Sequence, residues 1–281
     1  GGVRLDAYGT VDPLTAAGEV ALDASTTDLG LGIPQVDTLL RGPGTLSARV
    51  ARTPAGQIQV RALDLDLPSL TANASVDVEG ATGRATFDAR LADLGLLVPD
   101  LSGPVTADGT AELLPSGAWR LGADVAGLGG LGATIRGTAG PGSALDLGVS
   151  GSAPLGVANP FISPQRLSGD ATFDLAVGGA SLDAISGTLR VAGGRLALPA
   201  ANRSVEDISG TVSLSAGRAQ VEVSAAAPQG GDVLVSGPVT VAPPFPADID
   251  VAIRNVVERD PTLYETVING QLSVSGPLAG G

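Results

Sequence analysis

The chain has 281 residues, enough for one large domain or two ordinary ones, with 41 Gly, 20 Pro and no His, Cys or Met. Its 16 cations are all Arg and face 29 carboxylates, a formal charge of −13. These counts exclude the imidazole base, the thiolate nucleophile, the lysine Schiff base and the His/Cys metal centre, and with only 2% aromatics they exclude a cationic or stacking surface for nucleic acid.

No enzyme, cofactor, metal or catalytic residue is therefore expected. Hydrophobic residues make up 43% and charged residues only 16%, too apolar a balance for a solvated coil. The chain should fold, with Val, Leu, Ile and Ala as its apolar material.

The first residues, GGVRLDAYGT, carry neither a basic n-region nor an apolar h-region. Both ends read as cuts through a longer repetitive chain, and residues 1–281 as one continuous repetitive β segment whose first hundred residues are less regular. PQVDTLL at 34–40 can make one or two helical turns after Gly32. Asp64 and Asp66 share a strand face about 7 Å apart, a spacing that superficially suits paired glycosidase carboxylates. Leu63, Leu65 and Leu67 on the other face make them the solvated side of a half-buried strand. Asp248 and Asp250, set against Ile249, Val251 and Ile253, read the same way.

Trp119 stands alone and reads as packing. GLGGLG places Gly127, Gly129 and Gly132 in the dinucleotide fingerprint, but Gly137, Gly140 and Pro141 follow where a helix must start. Without that helix there is no N-terminus for a pyrophosphate, and a glycine-rich turn is expected. GGLGAT resembles a calcium-binding β-roll turn but has Thr134 where the Asp ligand belongs. The uncharged run at 147–165 is broken by Gly148, Gly151, Pro154, Gly156, Pro160 and Pro164, so it is no lipid-exposed helix. Within it VANPFI, 157–162, reads as an apolar loop.

Almost everywhere apolar and polar residues alternate with the period of a strand, most clearly over residues 208–225. A loop at Gly217-Arg218 pairs Ala216 with Ala219, Leu214 with Val221 and Val212 with Val223, and Gly first in the loop suits a type II′ turn. A loop at Gly193-Gly194 pairs Val191 with Leu196 and Leu189 with Leu198. One at Gly178-Gly179 pairs Val177 with Ala180, Leu175 with Leu182 and Phe173 with Ala184; Ile185 then breaks parity, which predicts a bulge or a fresh strand. APPFPA, 242–247, reads as an extended connector. Antiparallel sheet is the expectation.

A looser repeat overlies the strands. An apolar residue, Ser or Asn, then Gly in phase with the apolar face recurs from Leu101, Val149, Leu167, Ile185, Ile208, Val235 and Ile268, at intervals of 18 to 48 residues. That irregularity excludes a strict solenoid. Gly weakens a strand interior, so its place here is read as the bend of a strand crossing a curved sheet. The alternative is that abundant Gly falls in phase by chance. The apolar face needs cover, and four Phe, two Tyr and one Trp are little filler for a sandwich. Fluid acyl chains or a thin aliphatic core both fit.

The [LIV]-[SN]-G strands, GSAPLGVANPFISPQRLSGDATFDLAVGGA (151–180), LLRGPGTLSARVARTPAGQIQVRALDLDLPSL (39–70) and RNVVERDPTLYETVINGQLSVSGPL (254–278) carry a family likeness. On them the sequence resembles the TamB family, inner-membrane-anchored subunits of the translocation and assembly module. More broadly it is similar to the AsmA-like bacterial bridge-type lipid transfer proteins.

The resemblance implies an all-β fold: an elongated, mostly antiparallel curved sheet rolled into an open apolar groove, a β-taco or β-prism-like trough. It implies a place in the periplasm of a Gram-negative cell, movement of phospholipid between inner and outer membranes, and a role in outer-membrane β-barrel assembly. The implied partners are phospholipid acyl chains and, through regions outside this segment, a TamA-like outer-membrane barrel subunit.

The groove lining expected on this reading is Phe173, Leu175, Val177, Leu189, Val191, Leu196, Leu198, Val212, Leu214, Val221, Val223, Val233, Val235, Val239, Val241, Ile249, Val251, Ile253, Leu272 and Val274. Burying a 16-carbon chain there offers about 13 kcal/mol at about 0.8 kcal/mol per CH₂. The acidic exterior disfavours contact with anionic membranes. The rival expectation is a structural or adhesive β-solenoid of the autotransporter-passenger kind with no lipid cargo; five Asn and no constant coil length count against it.

Overall fold

A computed structural model of the chain describes residues 2–28, 34–97, 101–141, 145–179, 184–201, 203–242, 244–260 and 262–277. The chain is all-β, and every described ladder is antiparallel. Residues 1–144 and 145–281 form two compact units, taken here one at a time.

The first unit holds β1 (Gly2–Val11), β2 (Gly18–Thr27), the short helix α1 (Pro34–Leu39), β3 (Pro43–Arg52), β4 (Ile58–Asp66), β5 (Leu70–Glu79), β6 (Thr82–Leu91), β7 (Val105–Leu113), β8 (Trp119–Gly127) and β9 (Leu131–Ala139). Each strand pairs with the next. The register makes one continuous apolar row across eight strands: Leu22, Ala48, Leu63, Ala74, Phe87, Gly109, Ala123 and Ile135. One residue along, on the other face, runs Asp23, Ser47, Asp64, Asn73, Asp88, Asp108, Asp124 and Thr134. Period-two sequence in strict register thus builds a sheet with a greasy side and an acidic side.

The second unit holds β10 (Leu145–Pro154), a 3₁₀ segment (Leu155–Phe161), β11 (Arg166–Val177), β12 (Ile185–Leu198), β13 (Arg203–Ser215), β14 (Arg218–Ala226), β15 (Asp232–Thr240), β16 (Pro246–Asp260) and β17 (Tyr264–Pro277). It is also a sequential meander. In neither unit does a described ladder join the first strand to the last.

The hairpins differ from the sequence-based expectation in instructive ways. The β13–β14 loop is Ala216-Gly217, one residue earlier than expected, and pairs Leu214 with Ala219 and Val212 with Val221. Both loop residues have positive φ, +49° and +71°, the signature of a type I′ rather than a II′ turn. The shift moves each partner by two, so apolar residues still meet apolar residues.

No hairpin forms at Gly193-Gly194. Both lie inside β12, where the ladders to β11 and β13 change register and Gly193 takes φ +69°. Val191 pairs with Ala171 and Gly210 instead, because a Gly pair serves a bulge as well as a turn. Nor does Gly178-Gly179 close a two-residue loop. Ala180 and Leu182, named for that hairpin, lie outside the described residues, and Val177, Leu175 and Phe173 pair with Ile185, Gly187 and Leu189. Ile185 does open a fresh strand.

Residues 157–161 fall in the 3₁₀ segment, with Ile162 as its C-cap, rather than in a plain loop. At 242–247 the chain is not an extended connector: the Phe245 N–H donates to the Ala242 carbonyl at 2.8 Å in a tight turn, and Pro246 opens β16.

Two of the in-phase glycines have a definite cause. Gly187 (φ +134°) and Gly237 (φ +147°) lie where a β-carbon would be driven into the carbonyl oxygens of Asp174 and Asp248 on neighbouring strands. The constraint is close backbone approach together with left-handed φ. At Gly270, the last copy of the repeat, nothing lies within 4 Å.

Candidate functional site: an apolar sheet face

Three rows define the apolar face of the second unit. The first is Leu175, Gly187, Leu214, Ala219, Val239, Ala247 and Gly276. The second is Phe173, Leu189, Val212, Val221 and Gly237, and the third Ala171, Val191, Gly210, Val223, Val235, Val251 and Leu272. Side chains directly opposite on one face touch, so these are continuous bands of hydrocarbon running across the strands. None of the three rows carries a titratable side chain.

The expected lining residues fall on this face as follows. Val177 closes the β11 end opposite Ile185, and Leu196 pairs with Leu167 and Val205 beyond the β12 bulge. Leu198 is opposite Arg203 at the strand end. Val233 pairs with Ile253 and Ile249 with Val274. Val241 lies just past β15, its N–H donating to the Gly217 carbonyl at 2.8 Å. Leu272 and Val274 on β17 are the most open, 59% and 45% exposed.

The expected lining leaves out Ala171, Ala219 and Ala247, the buried side chains of these rows. It also leaves out the equivalent face of the first unit, where Leu63 and Leu65 read as apolar and Ala85, Phe87, Ala89 and Leu91 alternate in the same way.

The two faces differ in cover. On β8, Ala123 faces the apolar side and is buried while Ala126 faces the polar side and is exposed; on β11 the same contrast holds between Ala171 and Ala176. The same side chain on the same strand is shielded on one side only, where its neighbours are larger apolar side chains.

Yet that face is not a closed core. Among the described residues the buried apolar side chains are Ala48, Ala51, Leu67, Ala123, Ala171, Ala219 and Ala247, and no large side chain is less than 2% exposed. In a layered domain the apolar side of a sheet is packed against a second layer. Here Leu, Val, Ile and Phe remain half-buried along row after row.

Most of the charge is on the other face and in the loops; at the strand ends Arg203, opposite Leu198 on the apolar side, pairs with Glu258. Arg120 pairs with Glu112 at 2.9 Å, Arg61 with Glu19 at 3.3 Å and Arg259 with Glu265 at 2.8 Å; exposed pairs of this kind are worth about 0–1 kcal/mol each. Asp64, Asp248 and Asp250 are exposed on the polar side, and Asp250 accepts a hydrogen bond from the Ser273 hydroxyl at 2.6 Å. They form part of the solvated surface.

A hollow of about 650 Å³ on that side, over the side-chain-less Gly122, is ringed by Arg84, Arg120, Arg136 and Glu112, a lining unsuited to hydrocarbon. In the turns, backbone N–H groups of Gly103 and Gly95 hold the Asp93 carboxyl below its ordinary range. Those of Leu14, with the Thr15 hydroxyl, do the same for Asp12. Hydrogen bonding to the Asp23 carboxylate pushes the Tyr8 phenol up.

GLGGLG is a turn between β8 and β9, with Leu128, Gly129 and Gly130 all at positive φ and no helix following. Trp119 opens β8 opposite Leu113 and Ala139, half-buried. Compared with known proteins, the chain matches no family model, no curated protein and no solved structure.

Proposed function

We propose that the apolar face is a lipid-conducting groove and that phospholipid acyl chains are its missing packing partners. The observation that carries this reading is the partly open state of the aliphatic rows, in which no Leu, Val or Phe side chain is buried. Leaving Val, Leu and Ile in water forfeits roughly 25 cal/mol per Å² of apolar surface. Rows this long are more than scattered exposure, and they call for an apolar occupant.

Small aliphatic side chains without a charged group give a surface along which a chain can slide without a deep trap. The antiparallel meander also favours a groove over a coiled solenoid, the rival reading, because parallel pairing is what coiling produces.

On this proposal the chain is a segment of a TamB-like bridge in the periplasm of a Gram-negative bacterium. It moves phospholipid between inner and outer membranes and aids outer-membrane β-barrel assembly alongside a TamA-like subunit reached through other regions. The chain's residues carry no catalytic step in this scheme. Binding of a fluorescent phospholipid tests it. Val212→Asp, in the middle row, should weaken the probe by about 10- to 100-fold, the loss of about 1.5–3 kcal/mol of apolar contact. Ser213→Asp, one residue along on the polar side, should leave it unchanged. Equal effects of the two would remove the groove.

A further inference from the structure

The connection between β10 and β11 does not simply skirt the sheet. Its 3₁₀ segment Leu155–Phe161 packs against β11, and residues 155–159 are half-buried. Asn159 fastens it: the side-chain oxygen accepts the Leu167 N–H at 2.6 Å, and the Asn159 carbonyl accepts the Ile162 N–H at 3.3 Å.

Across from the segment, β12 presents Gly194, which is buried and pairs with Ile208. A β-carbon on Gly194 would lie 3.0 Å from Cδ1 of Leu155 and 3.3 Å from both Ile208 Cβ and Val191 Cγ1. Gly169 on β11 approaches the same spot, its β-carbon position 2.9 Å from the Gly194 Cα. The alternation leaves a gap in the apolar face where Gly194 lacks a side chain, and Leu155 fills it from outside the sheet.

We infer that Leu155 is an internal stop on the apolar face, occupying the place over Gly194 and Ile208 that an acyl chain would otherwise take. Hydrocarbon on this side is then kept to the three rows that begin at Leu175, Phe173 and Ala171, and Leu155 helps set how much of a chain the face accepts. This inference rests on the lipid-groove reading for its ligand, though not for the cover itself.

Because the chain lacks cysteine, Ile208→Cys gives a single thiol whose maleimide labelling rate reports the cover. Adding Leu155→Ala should speed labelling about tenfold, since thiol reactivity follows access. Leu155→Val, which shortens the side chain by one carbon, should speed it by less. With circular dichroism unchanged, equal rates in all three proteins would overturn the inference.

Palmitate is the probe for the ligand. It should protect the thiol at position 208 only when Leu155 is truncated, and a thiol placed by Val212→Cys in the parent as well. Protection at 208 that is the same with and without Leu155 would also overturn the stop. Uncovering of 208 with palmitate protecting neither position would sink the groove reading and leave the cover standing.

Discussion

Phe87 on β6 lies directly opposite Gly109 on β7, and a β-carbon on Gly109 would come within 2.8 Å of the ring Cζ. The same β-carbon would strike the carbonyl oxygen of Gly122 on β8. The aromatic ring is therefore housed over a gap, a large residue set against a small one across neighbouring strands. Gly109→Val should destabilise the chain by about 1–3 kcal/mol, the usual cost of overpacking, read as a lower urea midpoint. Phe87→Ala in the same chain should not restore it, because the clash with the Gly122 backbone remains.

The type I′ loop yields a sharper test of register. Ala216 holds φ +49° without the tolerance of Gly or Asn. Ala216→Asn should raise stability by about 0.4–1 kcal/mol by favouring the left-handed state. Had the loop been Gly217-Arg218, position 216 would lie in the strand and Asn there would weaken it. Thermal melts of the two proteins decide between the registers.

Asp108 sits between Asp88 and Asp124 on adjacent strands, three carboxylates in one cross-strand row. Asn73 and Thr134 donate to the outer two at 3.0 and 2.7 Å. Like charges directly opposite cost about 0.2–1 kcal/mol. Asp108→Asn should therefore stabilise the first unit, more at low than at high salt because the repulsion is screened. A stability change independent of salt would refute the repulsion.

Asp93 caps a 3₁₀ turn (Leu94–Leu96) and accepts the N–H groups of Gly95 and Gly103 at 3.0 and 2.8 Å. Its carboxyl is held below the ordinary range by these bonds. A depressed pKa in the folded chain contributes stability that is complete above the unfolded value, about 3.9, and is lost as pH falls through the folded value. Asp93→Asn should thus be less stable than the parent at neutral pH, with the difference shrinking as the solution is acidified below pH 4. A gap that stays constant with pH would contradict the role of the charge.

Much of this architecture was written in the alternation itself. Val212, Leu214, Val221 and Val223 announce a strand pair with one apolar face, and that face is where they lie. What alternation cannot decide is a slip of two, which leaves every side chain on its own face; the φ values of Ala216 and Gly217 decide it. Gly193-Gly194 shows the second ambiguity, since two small residues that permit left-handed φ serve a bulge inside β12 as well as a hairpin.

The buried Ala171, Ala219 and Ala247 are left out of the expected lining for a further reason. An alanine looks neutral in sequence, and only its place among larger neighbours on the apolar face buries it. Leu155 was hidden in an uncharged stretch whose Gly and Pro pointed to a loop, with nothing to signal that the loop doubles back over Gly194.

The central claim, that the aliphatic rows are left open for hydrocarbon, is met most directly by native mass spectrometry of the purified chain from a bacterial membrane-containing expression host. The account expects retained phospholipid on the parent and on Ser213→Arg, and its loss from Leu214→Arg with circular dichroism unchanged. Lipid-free parent protein, or lipid retained equally by Leu214→Arg, would contradict it.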